Sequence, residues 1–244
     1  MPAGDAGAAQ AGRAGEGAGG GDGTRAGIGR TADVIAVLDY GIGNLRSAEK
    51  ALQHVGGDAR LVAEPEDALG ASGVVLPGVG AFGASARALR ASGLDEVALR
   101  AVAAGVPFLG VCVGFQLLFE GSEEDPHADG LGVLEGHVRR LAGDVKLPQM
   151  QWNRTDAVAG VRSAMLAPFV VPPWFYFVHS FAPVPTGSAR DAVVATCDYG
   201  GTVVAAVERG TCWATQFHPE KSGRAGLRLL EAFVASCSRD VRLS

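Results

Sequence analysis

Between residues 34 and 120, short β-branched runs alternate with stretches of helical spacing, and glycines mark most of the joints. VIAVLDYG (34–41), ARLVA (59–63), GVVLPGVGAFG (73–83) and PFLGV (107–111) have the length and composition of buried strands. GNLRSAEKALQHVG (43–56) sets Leu45, Ala48, Leu52 and Val55 on one helical face, and further helices are expected at about 84–92, 94–104 and 113–120. Strands that alternate with helices imply βαβ units and a parallel sheet buried on both faces. Beyond about residue 125 the pattern changes. GVLEGHVRRL, FYFVHSFAPV and the run from DAVVATCDYG to QFHPE read as successive strands with antiparallel pairing, and a last helix is expected over about 222–237. The expected fold class is α/β, a three-layer domain whose mostly parallel central sheet gains an antiparallel, β-rich second half.

Residues 1–32 stand apart. They are mostly Gly and Ala, with no aromatic residue and no hydrophobic period. Such a segment cannot offset its ordering entropy by burial and is expected to be a disordered tail, with the folded domain over 33–244. A functional tail and a misplaced translation start are both open readings. The 244 residues suffice for one domain with a sizeable core. The net charge of −5, without a dense Lys/Arg block, argues against a nucleic-acid partner. No run approaches the roughly 18 apolar residues of a membrane span, and no apolar secretory segment opens the chain. The four cysteines, Cys112, Cys197, Cys212 and Cys237, form no CxxC pair. Reduced thiols in a cytoplasmic protein are the expectation.

One of those cysteines lies where packing alone would not put it. In VPFLGVCVGFQLLFE (106–120), Cys112 sits between two glycines, where one apolar run ends and the next begins. GVCVG has the form of the nucleophile elbow G-x-S-x-G with Cys for Ser. Flanking glycines let the backbone turn sharply and let strand and helix pack closely. A helix start would favour the thiolate, the reactive form. The amide of Val113 would then face the same space as an oxyanion donor. A buried cysteine at an ordinary turn is an equal reading of these residues alone, so the partner decides. His54, His127 and His137 read as solvated or hydrogen-bonded histidines. His179 and His218 close aromatic-rich strands, and only His218 has a carboxylate placed to orient it, Glu220 in HPE. Two residues apart is the same-face spacing of extended chain, which Pro219 is expected to hold. Cys112, His218 and Glu220 form a candidate triad. No cluster has metal-ligand spacing, and the GIG and GVG turns lack the phosphate-loop pattern, so no metal and no cofactor are expected.

At these residues the chain resembles a family. GVCVGFQLLFE and QFHPEKS are similar to the elbow and the His/Glu segment of the class I glutamine amidotransferases. DYGIGNLRS (39–47), PGVGAFG (77–83), the segment around MQWN (150–153), FYFVHSF (175–181) and QFHPEKSGRAGLRLL (216–230) resemble one branch, the glutaminases that serve imidazole glycerol phosphate synthase. The resemblance runs from about 34 to 235 and implies a flavodoxin-like three-layer fold. It implies that Cys112 attacks the side-chain amide of glutamine, that His218 is the general acid and base, and that Glu220 orients it. The amides of Val79 and Val113 would form the oxyanion hole. Gln116 and Glu124 would hold the substrate, with the His179–Ser180–Phe181 strand edge at its carboxylate. It further implies a heterodimer with a (β/α)8 barrel cyclase that receives the ammonia, docked near Asn44, Trp152 and Lys221. The usual PHMGWN is PQMQWN here, the usual HSY is HSF, and Val113 and Phe115 stand where Leu and Met are usual. Rival readings are a sister amidotransferase, a stand-alone cysteine hydrolase on a similar scaffold, and a non-catalytic scaffolding subunit.

Overall fold

The computed structural model describes residues 34–237; the expected tail at 1–32 lies outside the described residues. In chain order the elements begin with β1 (Val34–Leu38), α1 (Leu45–His54), β2 (Asp58–Val62), β3 (Gly73–Gly78), α2 (Phe82–Ala91), α3 (Leu94–Ala103), β4 (Phe108–Cys112) and α4 (Val113–Gln116). Then follow β5 (Gly121–Ser122), β6 (Asp125–Asp129), β7 (Gly136–Arg140), β8 (Gln149–Arg154), β9 (Asp156–Ala157), β10 (Trp174–His179) and β11 (Phe181–Pro185). The chain closes with β12 (Val193–Asp198), β13 (Thr202–Arg209), β14 (Cys212–Thr215) and α5 (Gly223–Cys237).

Eight strands form the central sheet in the order β2-β1-β3-β4-β14-β13-β12-β9. The first five run parallel and the last four antiparallel, with β14 belonging to both halves. Every residue of β1, β3, β4 and β14 is buried, as strands covered on both faces must be. The crossover through α1 runs outward from β1 to β2, and that through α3 runs the other way, from β3 to β4. Right-handed crossovers in opposite directions set helices on opposite faces, α1 beside α5 and α2 beside α3. The C-terminal ends of β3, β4 and β14 meet at the middle of one sheet edge, where ligands of open α/β sheets collect.

Four expectations change. The helix expected over 113–120 is a single turn, α4. The carbonyls of Leu117, Leu118 and Phe119 accept instead from Leu131, Leu134 and Gly132 at 2.7, 2.8 and 3.2 Å. Leu117, Leu118 and Phe119 are all buried, so this run is enclosed on every side and has no solvent face for a helix to present. FYFVHSFAPV is not one strand. It breaks at Ser180 into β10, which pairs with β8, and β11, which joins the four-stranded sheet β11-β7-β5-β6. GVLEGHVRRL is a strand only over β7. Antiparallel pairing holds for β12, β13 and their partners, but β14 returns parallel to β4, and that return brings His218 to the cysteine's edge.

Candidate active site

Cys112 ends β4 with φ of 54°, the one non-glycine residue with positive φ among the described residues. A side chain in such a region costs on the order of 1–3 kcal/mol, which the surrounding packing must hold in place. The packing is backbone on backbone. A Cβ at Gly114 would lie 1.9 Å from the Leu76 carbonyl oxygen, and one at Gly78 would lie 2.6 Å from the Gly114 nitrogen. Gly78 and Gly114 therefore allow β3 and α4 to touch, and the contact holds the turn that presents the sulfur. With α4 only one turn long, its macrodipole adds little, so the sulfur's surroundings are set by side chains instead.

Those side chains come from the segment after β14. His218 is 1 % exposed, and its Nδ1 lies 2.8 Å from Glu220 Oε1. Glu220 is held by proximity through a 3-10 turn, Pro219–Lys221, and not by extended chain; the proline starts the turn. The turn is latched by Ser222, whose hydroxyl donates to the His218 carbonyl at 2.6 Å and accepts from the Tyr176 amide at 2.9 Å. Burial lowers the affinity of the ring for its proton, yet the Cys112 sulfur and the Glu220 carboxylate outweigh it and push the His218 pKa up to about 9. Nε2 makes no hydrogen bond in this arrangement, though the sulfur is near enough to act on the ring. Burial pushes the thiol of Cys197 up to about 11 and that of Cys212 up to about 12.

A cavity of about 600 Å³ opens over the sulfur, lined among others by Val79, Val113, Gln116, Glu124, His179 and His218. Ser180, Phe181, Asn44 and Lys221 complete the expected residues on its wall. Glu124, in the turn between β5 and β6, accepts from the Phe82 amide at 2.7 Å through Oε2 and so caps α2. No hydrogen bond of the described residues takes its Oε1. Gln116 donates through Nε2 to the Phe181 carbonyl at 2.9 Å and to Gln216 Oε1 at 3.1 Å. His179 is neutral at ordinary pH, because burial pushes it down to about 4. Its Nδ1 lies 2.8 Å from the same Phe181 carbonyl, which can only accept, so the proton is on Nδ1. The loop bearing Val79 is held from both sides. Tyr40 donates to the Pro77 carbonyl at 2.8 Å and Ser85 to the Val79 carbonyl at 3.5 Å.

The three residues expected at a docking face divide. Asn44 is partly a site residue, since its amide donates to Glu220 Oε1 at 3.5 Å. Lys221 is exposed at the cavity mouth. Trp152 lies away from the core on β8, 48 % exposed, and packs edge-on against Tyr176 of β10. Met150 and Trp174, 61 % and 56 % exposed, share its side of the β8–β10 ribbon. Val178, on the same side, and Pro148 join this face to the cavity wall. Sequence reasoning missed Gln216. It is fully buried, its amide at 3.7 Å from Cys112 Sγ. The two-residue alternation that linked His218 to Glu220 reaches back to Gln216 as well. Phe217, between them, turns the other way and stacks on Phe175 at 3.9 Å.

Comparison with known proteins agrees with this geometry. The family model for Glutamine amidotransferase class-I matches residues 36–237. Imidazole glycerol phosphate synthase subunit HisH of Thermobifida fusca (strain YX) is 46% identical over 209 residues, covering 83% of this chain and 98% of the relative. The subunit of the same name from Mycobacterium tuberculosis (strain ATCC 25618 / H37Rv) is 46% identical over 205 residues, covering 84% and 98%. Among solved structures, a glutamine amidotransferase superposes with a TM-score of 0.66 at 22% identity, covering 84% of this chain and 99% of that one. PurLQS from Thermotoga maritima gives 0.63 at 19%, covering 84% and 98%. The two structures speak for the fold, and the two sequence relatives, matched over nearly their whole length, for the branch: the chain belongs to the class-I glutamine amidotransferases, among the imidazole glycerol phosphate synthase HisH subunits.

Proposed function

We propose that Cys112, His218 and Glu220 hydrolyse glutamine and that the ammonia passes to a cyclase subunit, which uses it in making imidazole glycerol phosphate and an aminoimidazole carboxamide ribotide. The observation that carries this reading is the strained elbow of Cys112 facing the buried His218–Glu220 pair across one cavity. The thiolate attacks the side-chain amide carbon of glutamine. The oxygen, now anionic, takes hydrogen bonds from the amides of Val79 and Val113. The imidazolium of His218 gives its proton to the departing nitrogen, ammonia leaves, and a glutamyl thioester remains. His218, now neutral, takes a proton from water as it attacks the thioester; glutamate departs and the sulfur returns to thiolate. Glu220 keeps the His218 ring turned so that Nε2 serves these transfers. The free Oε1 of Glu124 is a partner for the ammonium group of the substrate, and Gln116 offers its own Oε1.

Ammonia released into neutral water becomes ammonium, which has no lone pair to give. A synthase must therefore pass it on through a dry path, and the proposed receiver is a (β/α)8 barrel cyclase docked as a heterodimer over the cavity mouth. The exposed Met150, Trp152 and Trp174, continuous with the cavity wall through Val178, support that face, with Asn44 and Lys221 at its rim. Among the described residues Cys112, Cys197 and Cys212 are free thiols, which supports a cytoplasmic enzyme. No helix among the described residues is long and apolar enough to cross a membrane. The test is glutamate release from glutamine by the chain alone, then with the cyclase and its nucleotide ligand. A large rise in the complete mixture, abolished by Cys112→Ala, is expected. High activity that ignores the cyclase points to a stand-alone amidase, and no activity in either mixture points to a scaffold.

A further inference from the structure

We infer that Gln216 is a positioning residue that ties substrate recognition to the nucleophile: one buried amide donates to the Cys112 sulfur while its carbonyl fixes which way the Gln116 amide faces. The inference rests on the reading of Cys112 as the nucleophile.

A glutamine amide has two N–H donors and one carbonyl acceptor. Both donors of Gln116 are engaged, one by the Phe181 carbonyl at 2.9 Å and one by Gln216 Oε1 at 3.1 Å. Gln116 can therefore show the cavity only its carbonyl oxygen, and that oxygen calls for an N–H group on the substrate. Were the acceptor at Gln216 lost, the Gln116 amide could turn and show its NH2 instead, which would repel an ammonium group. The backbone that carries Gln216 is itself held. Its backbone amide donates to the Ala205 carbonyl at 2.9 Å, and the next residue but one, His218, donates its amide to the Tyr176 carbonyl at 3.0 Å. Strands β13 and β10 thus pin the segment on both sides, and the stacked Phe217 fills the core between them. With Oε1 directed to Gln116, Nε2 is left to the sulfur, at 3.7 Å. A neutral donor there supports negative charge on sulfur without adding a second titrating group beside His218.

Two substitutions separate the halves of this arrangement, read in the complex with the cyclase. Gln216→Met removes donor and acceptor together. Its KM for glutamine is expected to rise about tenfold and its kcat to fall about tenfold, the worth of one hydrogen bond each. Gln216→Glu keeps the acceptor for Gln116 but sets a carboxylate against the sulfur. Its KM should stay within about threefold of wild type. Alkylation of Cys112 by iodoacetamide at neutral pH, followed by peptide mass, should slow by about 100-fold, and its midpoint should move to higher pH. Cys197, Cys212 and Cys237 stay unlabelled in a folded chain and report on folding in the same digest. If Gln216→Met does not fold, the pH midpoint of Gln216→Glu carries the test alone. Unchanged KM in both variants with alkylation profiles that superpose on wild type would reduce Gln216 to a space-filling residue. A wild-type complex that labels Cys112 no faster than its other thiols would overturn the nucleophile instead.

Discussion

The sheet edge that carries Cys112 and the β8–β10 ribbon are built from strands of similar length and opposite manners. At the edge, β3, β4 and β14 are buried at every residue, and β3 and β4 approach the backbone of α4 so closely that glycine is required. In the ribbon, Phe175, Phe177, His179 and Gln149 turn inward, while Met150, Trp152 and Trp174 stand in solvent. Geometry at the edge is fixed from within the chain. The ribbon presents apolar surface that nothing among the described residues covers, which is what a subunit offers to a partner. The difference teaches where to look for two kinds of failure, loss of fold and loss of assembly.

The largest expected effect breaks the edge. Gly114→Ala drives a methyl group into the Leu76 carbonyl, a contact of 1.9 Å with backbone that no side-chain rotation relieves. Overpacking of this kind costs about 3 kcal/mol or more, and thermal unfolding should show a fall in Tm of at least about 6 °C. The same measurement on the ribbon should show almost nothing. The double change of Met150→Ala and Trp152→Ala alters exposed side chains, so its effect on stability should stay within about 0.5 kcal/mol, while activation of glutamate release by the cyclase drops tenfold or more, roughly as when an exposed aromatic anchor is lost. Equal losses of Tm at both places would erase the distinction between the two regions.

The smallest effect sharpens it through two buried histidines, one on each side of the divide. The His218 pKa is raised from 6.5 to about 9, so its proton favours the folded state. That stabilisation is complete below pH 6.5, fades as pH rises and is gone above about 9. Activity that needs the His218 proton should fall along the same alkaline limb, about tenfold per pH unit above 9. His179, in the ribbon, is lowered from 6.5 to about 4 and behaves in the opposite sense. It costs nothing above pH 6.5, and folding loses ground as pH falls towards 4, where the unfolded chain gains a proton that the buried ring refuses. His218→Gln should flatten the alkaline side of a Tm-against-pH curve and His179→Gln the acid side. A curve unmoved by either substitution would contradict both assignments.

Much of the parallel half was legible because β-branched runs, helical spacing and glycine joints agree there. The elbow was legible for a further reason: close backbone approach demands glycine, and glycine is visible in a sequence. What escaped was long-range. Leu117–Phe119 satisfy helical spacing, but their carbonyls are claimed by residues 130–134, a competition that no local window contains. FYFVHSFAPV carries no glycine, so the change of sheet at Ser180 leaves no mark in the pattern. Gln216 was within reach of the alternation already used for Glu220, yet a neutral amide carries no charge to draw attention. Asn44 was expected at an interface and touches Glu220 across 176 residues, a contact made by the turn before α1 rather than by any motif.

The backbone at Cys112 carries one more consequence. Its φ of 54° is a conformation that glycine adopts freely and other residues resist. Random substitution followed by selection for folding alone would therefore push this position towards glycine, generation after generation. A cysteine that sits here at that cost is what the proposed use of its sulfur asks of the chain.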